Sequence, residues 1–212
     1  MQTRRTLWYT HRYRSPAGDL FLAVDRQGVV HRVSYRDFRP HLAERSSSQH
    51  SSSQHSWPTH SGPPHSWEEN KYACGEVEYQ LEEYFAGKRD RFSLTLHMEG
   101  TEFQQAVWQA MQKLAYGSTI TYGELALKIG RRDAARAVGN AVGRNPIAVI
   151  VPCHRVVPAS GGTGNYATRS VPAREGRRAK QHLIRLEQKG TPPGEPGTIA
   201  PRQGAGSQDF AV

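Results

Sequence analysis

The apolar residues of this chain change their spacing near residue 100, and that change limits what it can fold into. Between Leu7 and Tyr35 they lie in short runs, WYTHRY, DLFLAV and VVHRVSY, separated by Ser15-Pro16-Ala17-Gly18 and Asp25-Arg26-Gln27-Gly28. Strand-sized runs divided by turn-forming residues predict an antiparallel meander. Beyond residue 100 the apolar side chains recur every three or four positions, the spacing of one helix face. Phe103, Val107, Ala110, Met111 and Leu114 form such a row. The expectation is an α+β chain, with a small antiparallel sheet first and a mostly helical part after it.

Start and stop signals refine this. Glu76 to Phe85 predicts a helix with Val77, Leu81, Tyr84 and Phe85 on one face, ended by Gly87. Phe92 to Leu96, FSLTL, alternates and predicts another strand. Thr101-Glu102-Phe103-Gln104 is a capping box, which opens a helix ended by Gly117. Thr121-Tyr122-Gly123-Glu124 is a second box, opening a short helix through Ile129. Gly130 supplies a turn, and a third helix is expected from Asp133 to Val142. Two short helices joined by a tight turn have the outline of a helix-turn-helix.

Two segments cannot build a core. Residues 46–67, SSSQHSSSQHSWPTHSGPPHSW, repeat His50, His55, His60 and His65 in a Ser/Pro/Gly setting. They predict a disordered insertion. No helix or cysteine there fixes a metal geometry, so no metal site is expected. Residues 191–212 predict a disordered tail. The domains expected are thus 1–98, carrying the insertion, and 99–190.

Composition excludes some classes. No run of about 18 apolar residues predicts a membrane-spanning helix, and MQTRRTLWYTHRY has no signal-peptide core. Cys74 and Cys153 are the two cysteines, too few for a disulfide scaffold, so free thiols are expected. The net charge of +9 is uneven. Residues 1–100 hold 13 Lys/Arg against 12 Asp/Glu, whereas residues 101–212 hold 15 against 7. A basic half fits either a solvated surface or a polyanion footprint, nucleic acid being the usual partner.

Two stretches concentrate the chemistry. DAARAVGNAVG in the third helix is built of small residues around Arg136. Glycine in a helix costs about 1 kcal/mol against alanine, so Gly139 needs a packing reason. Such a helix can lie close to another surface with Arg136 reaching beyond it. Residues 147–157 read IAVIVPCHRVV. IAVIV predicts a short core strand, with a buried helical segment the alternative, and Pro152 should stop it. Cys153, His154 and Arg155 then stand at its mouth. A thiol becomes a nucleophile only as thiolate, which His154, Arg155 or a histidine–carboxylate relay could supply. Neighbours on a strand point apart, so Cys153 and His154 should not touch unless the chain turns after Pro152 or a water bridges them.

PCHRVV, preceded by an apolar run and Asn145-Pro146, resembles the active site of the O6-alkylguanine-DNA alkyltransferases. GTEFQQAVWQAM, YGSTITYGELA, AARAVGNAVGRNPIAVIVPCHRVV and the GNY of residues 164–166 carry the resemblance over about residues 100–190. RYRSPAGDLFLAVDRQGVVHRV resembles the family's N-terminal sheet domain more weakly. The resemblance implies a ribonuclease H-like N-terminal domain and a winged-helix-like C-terminal domain. It implies a single-turnover, suicidal methylated-DNA–protein-cysteine S-methyltransferase that needs no cofactor. O6-alkylguanine, and O4-alkylthymine with it, would be flipped out of duplex DNA bound through its minor groove. Cys153 would take the alkyl group, with His154 acting as its base through a bridging water and Glu187 orienting His154. Tyr122 would crowd the target phosphate and donate a proton or hydrogen bond to the departing guanine. Thr121, Ala134, Ala135 and Arg136 would meet DNA, Arg136 filling the vacated stack. Asn145 would be a buried hinge, and Val142, Val156 and Tyr166 would line the base pocket. The partner would be double-stranded DNA and the protein a monomer, with cooperative assembly on DNA left open. The place of action would be the nucleus in a eukaryote or the cytoplasm in a prokaryote.

One segment departs from the family pattern. After Asn165-Tyr166 a small residue and two glycines are expected, but ATRSVPAREGRRAKQHLI runs longer. An extended, mobile loop over 167–178 is therefore expected as a pocket wall. Three other readings keep parts of the sequence: a lesion sensor without chemistry, which would replace Cys153; a helix-turn-helix transcription factor; and a cysteine hydrolase.

Overall fold

The computed structural model describes residues 7–39, 66–166 and 171–190. The expected insertion up to residue 65, the tail 191–212 and the first part of the expected loop, residues 167–170, lie outside the described residues.

The N-terminal meander forms as its turn residues require. Strands β1 (Leu7–Ser15), β2 (Gly18–Val24) and β3 (Val30–Ser34) pair antiparallel in sequence order. Gly18, with φ +112°, makes the first turn. Alternation sorts β2 into two faces. Leu20, Leu22 and Val24 join the main core, whereas Ala23 packs with Trp8 and Phe38 in a second cluster. A fourth strand, β4 (Ser66–Glu69), runs parallel to β1 and gives the order β3-β2-β1-β4. This corrects two expectations: the sheet is mixed, not purely antiparallel, and Ser66 and Trp67 belong to a strand, not to the insertion.

Helix α1 (Gly75–Phe85) lies on the main-core face, burying Val77, Gln80, Leu81 and Tyr84. The expected strand FSLTL does not form. Leu96 alone bridges to Val30, while Phe92 and Leu94 rest against the core. The alternation recorded side-chain burial without a ladder of partners.

Both capping boxes close as the sequence predicts. Thr101 and Gln104 exchange bonds at the start of α2 (Glu102–Gln112). Thr121 and Glu124 do so at the start of α3 (Tyr122–Lys128), which follows the two-residue strand β5 (Ile120–Thr121). Gly130, at φ +71°, turns the chain into α4 (Ala135–Val142). Trp108, absent from the expected helix row, is fully buried and donates Nε1–H to the Ala141 carbonyl at 2.9 Å, tying α2 to α4.

IAVIV is not a strand. Ile147 makes one bridge to Val33, and the chain then turns, with Val151 N–H donating to the Ile147 carbonyl. Val149 sits at φ +71°, a left-handed conformation strained for a β-branched residue by about 1–3 kcal/mol. Residues 147–151 are all buried, at roughly 1.5–3 kcal/mol for each large apolar side chain, so burial outweighs the strain. The same burial explains why the run looked like a core strand. Cys153–Arg155 follow as one 3-10 turn, then strand β6 (Val156–Val157) pairs parallel with β5.

The last helix, α5, spans Ala173–Gly190. Residues 173–178, expected in a loop, are therefore helical. Gly176 makes this close packing possible, because a Cβ there would run into the Tyr166 carbonyl oxygen.

Candidate active site

Asn145 organises the turn that carries the cysteine. Its Oδ1 accepts from Ile147 N–H at 3.0 Å, and its Nδ2 donates to the Val151 carbonyl at 2.8 Å. The same Nδ2 lies 3.1 Å from Cys153 Sγ. Cys153 is 7% exposed, and burial pushes its thiol up. Asn145 and the Lys180 ammonium oppose that shift by favouring the thiolate. Lys180 is itself buried, donates Nζ–H to the Val156 carbonyl at 2.6 Å, and is drawn down to about 8.

The 3-10 turn resolves the question of neighbouring side chains. It lets Cys153 face Asn145 while His154 points into the interior, 0% exposed, with Nε2 2.7 Å from Glu187 Oε1. Arg155 does not act on the thiol. Its Nε and Nη2 each lie 2.9 Å from a Glu187 oxygen, and Nη1 donates to the Leu114 carbonyl. Gly117 N–H and the Tyr84 hydroxyl also donate to Glu187, at 3.1 and 2.7 Å. A buried carboxylate costs several kcal/mol of desolvation, which these donors offset. They hold Glu187 well below the usual carboxylate range, led by the bond to His154.

That ionised carboxylate fixes the imidazole. Nε2 carries the proton it gives to Glu187, so in the neutral ring Nδ1 is the free base. Burial keeps the ring neutral by pulling its basicity down, against the pull of Glu187. Nδ1 has no hydrogen-bond partner among the described residues, and neither do the buried hydroxyls of Tyr35 and Tyr166. Tyr166 stacks edge-on to both His154 and Tyr35.

Other expected site residues differ in burial. Val142 and Val156 are buried, at 6% and 0% exposure. Tyr122 is half-buried at the start of α3, and burial together with Cys153 pushes its phenol up. Thr121 spends its hydroxyl on capping α3. Ala134 and Ala135 are half-buried, while Arg136 is exposed on α4. Gly139 lies against Tyr122, but a Cβ there would stand 3.7 Å from the ring, an ordinary contact, so packing does not demand glycine. Sequence reasoning missed Gly117 and Lys180 as site residues and took Tyr84 for core only. Tyr84 occupied an apolar helix face, Gly117 was read as the end of a helix, and Lys180 lay in the segment that departs from the family pattern.

Known proteins resemble this chain in sequence and fold. The family described as 6-O-methylguanine DNA methyltransferase, DNA binding domain, matches residues 102–189. The methylated-DNA–protein-cysteine methyltransferase of Methanosarcina acetivorans is 49% identical over 175 residues, covering 82% of this chain and 95% of that protein. This chain belongs to the methylated-DNA–protein-cysteine methyltransferase family. The same-named protein of Methanosarcina mazei is 39% identical over 85% of this chain and 97% of its own. The crystal structure of Mycobacterium tuberculosis O6-methylguanine methyltransferase superposes with a TM-score of 0.69 at 34% identity, covering 88% of this chain and 96% of that one. The M. tuberculosis OGT in complex with DNA matches with a TM-score of 0.64 at 36% identity and the same coverage. The methyltransferase family and its α+β fold are therefore the frame for Cys153.

Proposed function

We propose that this chain repairs DNA directly, moving the alkyl group of O6-alkylguanine, and of O4-alkylthymine, irreversibly to Cys153. The observation that carries the reading is the pairing of Asn145 with Cys153 Sγ beside a His154–Glu187 pair in the matched domain. His154 Nδ1 takes the thiol proton through one water. The sulfur then attacks the alkyl carbon in line, forming S–C as C–O6 breaks; Tyr122 donates a proton or hydrogen bond to the departing guanine, and the thiol proton held by His154 makes good the one the guanine takes. Asn145 and Lys180 hold the developing thiolate, and no cofactor enters the balance of atoms. Helices α3 and α4 bind the minor groove of duplex DNA. Arg136, exposed on α4, occupies the place of the flipped base, offsetting part of an unstacking cost of a few kcal/mol. The protein free of DNA is a monomer.

Adduct mapping tests this reading. After incubation with O6-benzylguanine, tandem mass spectrometry should find one benzyl group, on Cys153. An adduct on Cys74 would overturn it. Cys74 is buried, pushed up to about 12 by that burial, and gives its thiol proton to the Tyr9 carbonyl, so it is the poorer nucleophile.

A further inference from the structure

We propose that Tyr84, on helix α1 of the N-terminal part, is a positioning residue for the His154–Glu187 pair, its hydroxyl holding Glu187 as a shared anion so that His154 keeps Nδ1 free of a proton. The consequence for alkyl transfer rests on the function proposed above; the effect on His154 does not.

The geometry leaves the Tyr84 proton one destination. Its hydroxyl is 2.7 Å from Glu187 Oε1 and 3.5 Å from His154 Nε2. Because Nε2 already points its own proton at the same carboxylate, it cannot accept from Tyr84 as well. Tyr84 is 0% exposed, and its ring is packed by Phe85, Phe92 and Tyr116, so the hydroxyl has little freedom to turn away. Burial and the neighbouring Glu187 charge push its phenol far above the usual range, so it stays a neutral donor wherever the protein is folded.

Charge balance around His154 explains what that donor does. Glu187, on α5, favours the imidazolium; Arg155, on the same turn, and Lys180, on α5, disfavour it. Cys153 and Tyr166 stand nearby as neutral groups whose ionisation burial opposes. Tyr116 faces Arg155, 5.7 Å from its guanidinium. Each hydrogen bond given to Glu187 draws electron density from the oxygen that faces His154. Nε2 of His154, Nη2 of Arg155 and the hydroxyl of Tyr84 all reach Oε1. Tyr84 is the member supplied by the N-terminal part, whereas His154, Arg155 and Gly117 all come from beyond residue 113.

Tyr84→Phe removes only the hydroxyl and keeps the ring. Nitrogen-15 NMR of full-length protein, with His154 assigned by difference from His154→Asn, reads the imidazole directly. Without the Tyr84 donor, Glu187 pulls harder on the imidazolium, so the His154 titration should move to higher pH. A change of at least roughly twofold in the protonation ratio at fixed pH is expected. The acid limb of the O6-benzylguanine reaction should move the same way. Phe92→Leu loosens the same aromatic packing without touching Glu187, so it should lower Tm and leave the titration in place. An unmoved midpoint in Tyr84→Phe, or an equal displacement in Phe92→Leu, overturns the assignment. A displaced midpoint in a protein that gains no alkyl group keeps Tyr84 in its role and removes the alkyl-transfer reading instead.

Discussion

Asn145 donates its side-chain amide to Cys153 Sγ across 3.1 Å while holding the backbone on both sides of Val149. One side chain therefore secures a strained turn and favours the thiolate that the turn presents.

Removing that amide should separate a reactive cysteine from a buried one. A hydrogen bond to a charged group contributes about 1.5–3 kcal/mol, so Asn145→Ala should slow reaction with O6-benzylguanine by roughly 10- to 100-fold. Asn145→Asp keeps the shape but sets an anion beside the sulfur, and should be slower still. Second-order rate constants decide; a near-normal rate in the alanine variant would confine Asn145 to holding the backbone.

Glu187 links the site to acid stability. Its carboxyl is held below its unfolded value, so the stability it adds is complete above the ordinary carboxylate range. That contribution fades as pH falls from that range toward its depressed folded value. Glu187→Gln leaves Arg155 buried without its counterion and should cost about 3–5 kcal/mol at neutral pH. Urea unfolding of both proteins should show this gap at pH 7 and a smaller one in acid. A gap independent of pH would contradict the ionised state assigned to Glu187.

Most of the architecture was legible because it follows local rules. Two capping boxes marked the starts of α2 and α3, and Gly18 and Gly130 marked turns that demand positive φ. What failed was long-range. Strand β4 pairs with β1 across the whole insertion, and no local pattern encodes that partner. FSLTL and IAVIV had the residues of strands but only single-bridge partners, so burial was read as pairing. At the site, Cys153, His154, Glu187 and Asn145 came from motif and resemblance together. Tyr84 looked like core and Lys180 carried no signal, since a polar tip on a buried side chain shows no periodicity of its own.

The start of α5 makes a structural prediction. Gly176→Ala would drive a methyl group into the Tyr166 carbonyl, and overpacking of this kind costs about 1–3 kcal/mol. Calorimetry should show a lower Tm, with altered selectivity between methyl and benzyl substrates as the Tyr166 wall shifts. An unchanged Tm would mean that α5 starts beyond Gly176 in solution.

Arg136 separates base flipping from chemistry. A free base needs no flipping, so Arg136→Ala should react almost normally with O6-benzylguanine. On duplex DNA, losing about 1.4 kcal/mol of help with the vacated stack slows reaction about tenfold. An abasic site opposite the target should restore part of the rate. Equal slowing on both substrates would assign Arg136 to the fold.

The most direct measurement follows the alkyl group itself. Full-length protein is mixed with an equimolar duplex carrying one O6-methylguanine, and intact masses of protein and DNA are recorded over time. The account predicts that each DNA loses one methyl group as each protein gains one. Turnover should stop at one equivalent, and Cys153→Ala should bind the duplex without change in either mass. Repeated turnover, or methyl loss from DNA with no gain on the protein, would contradict transfer to Cys153.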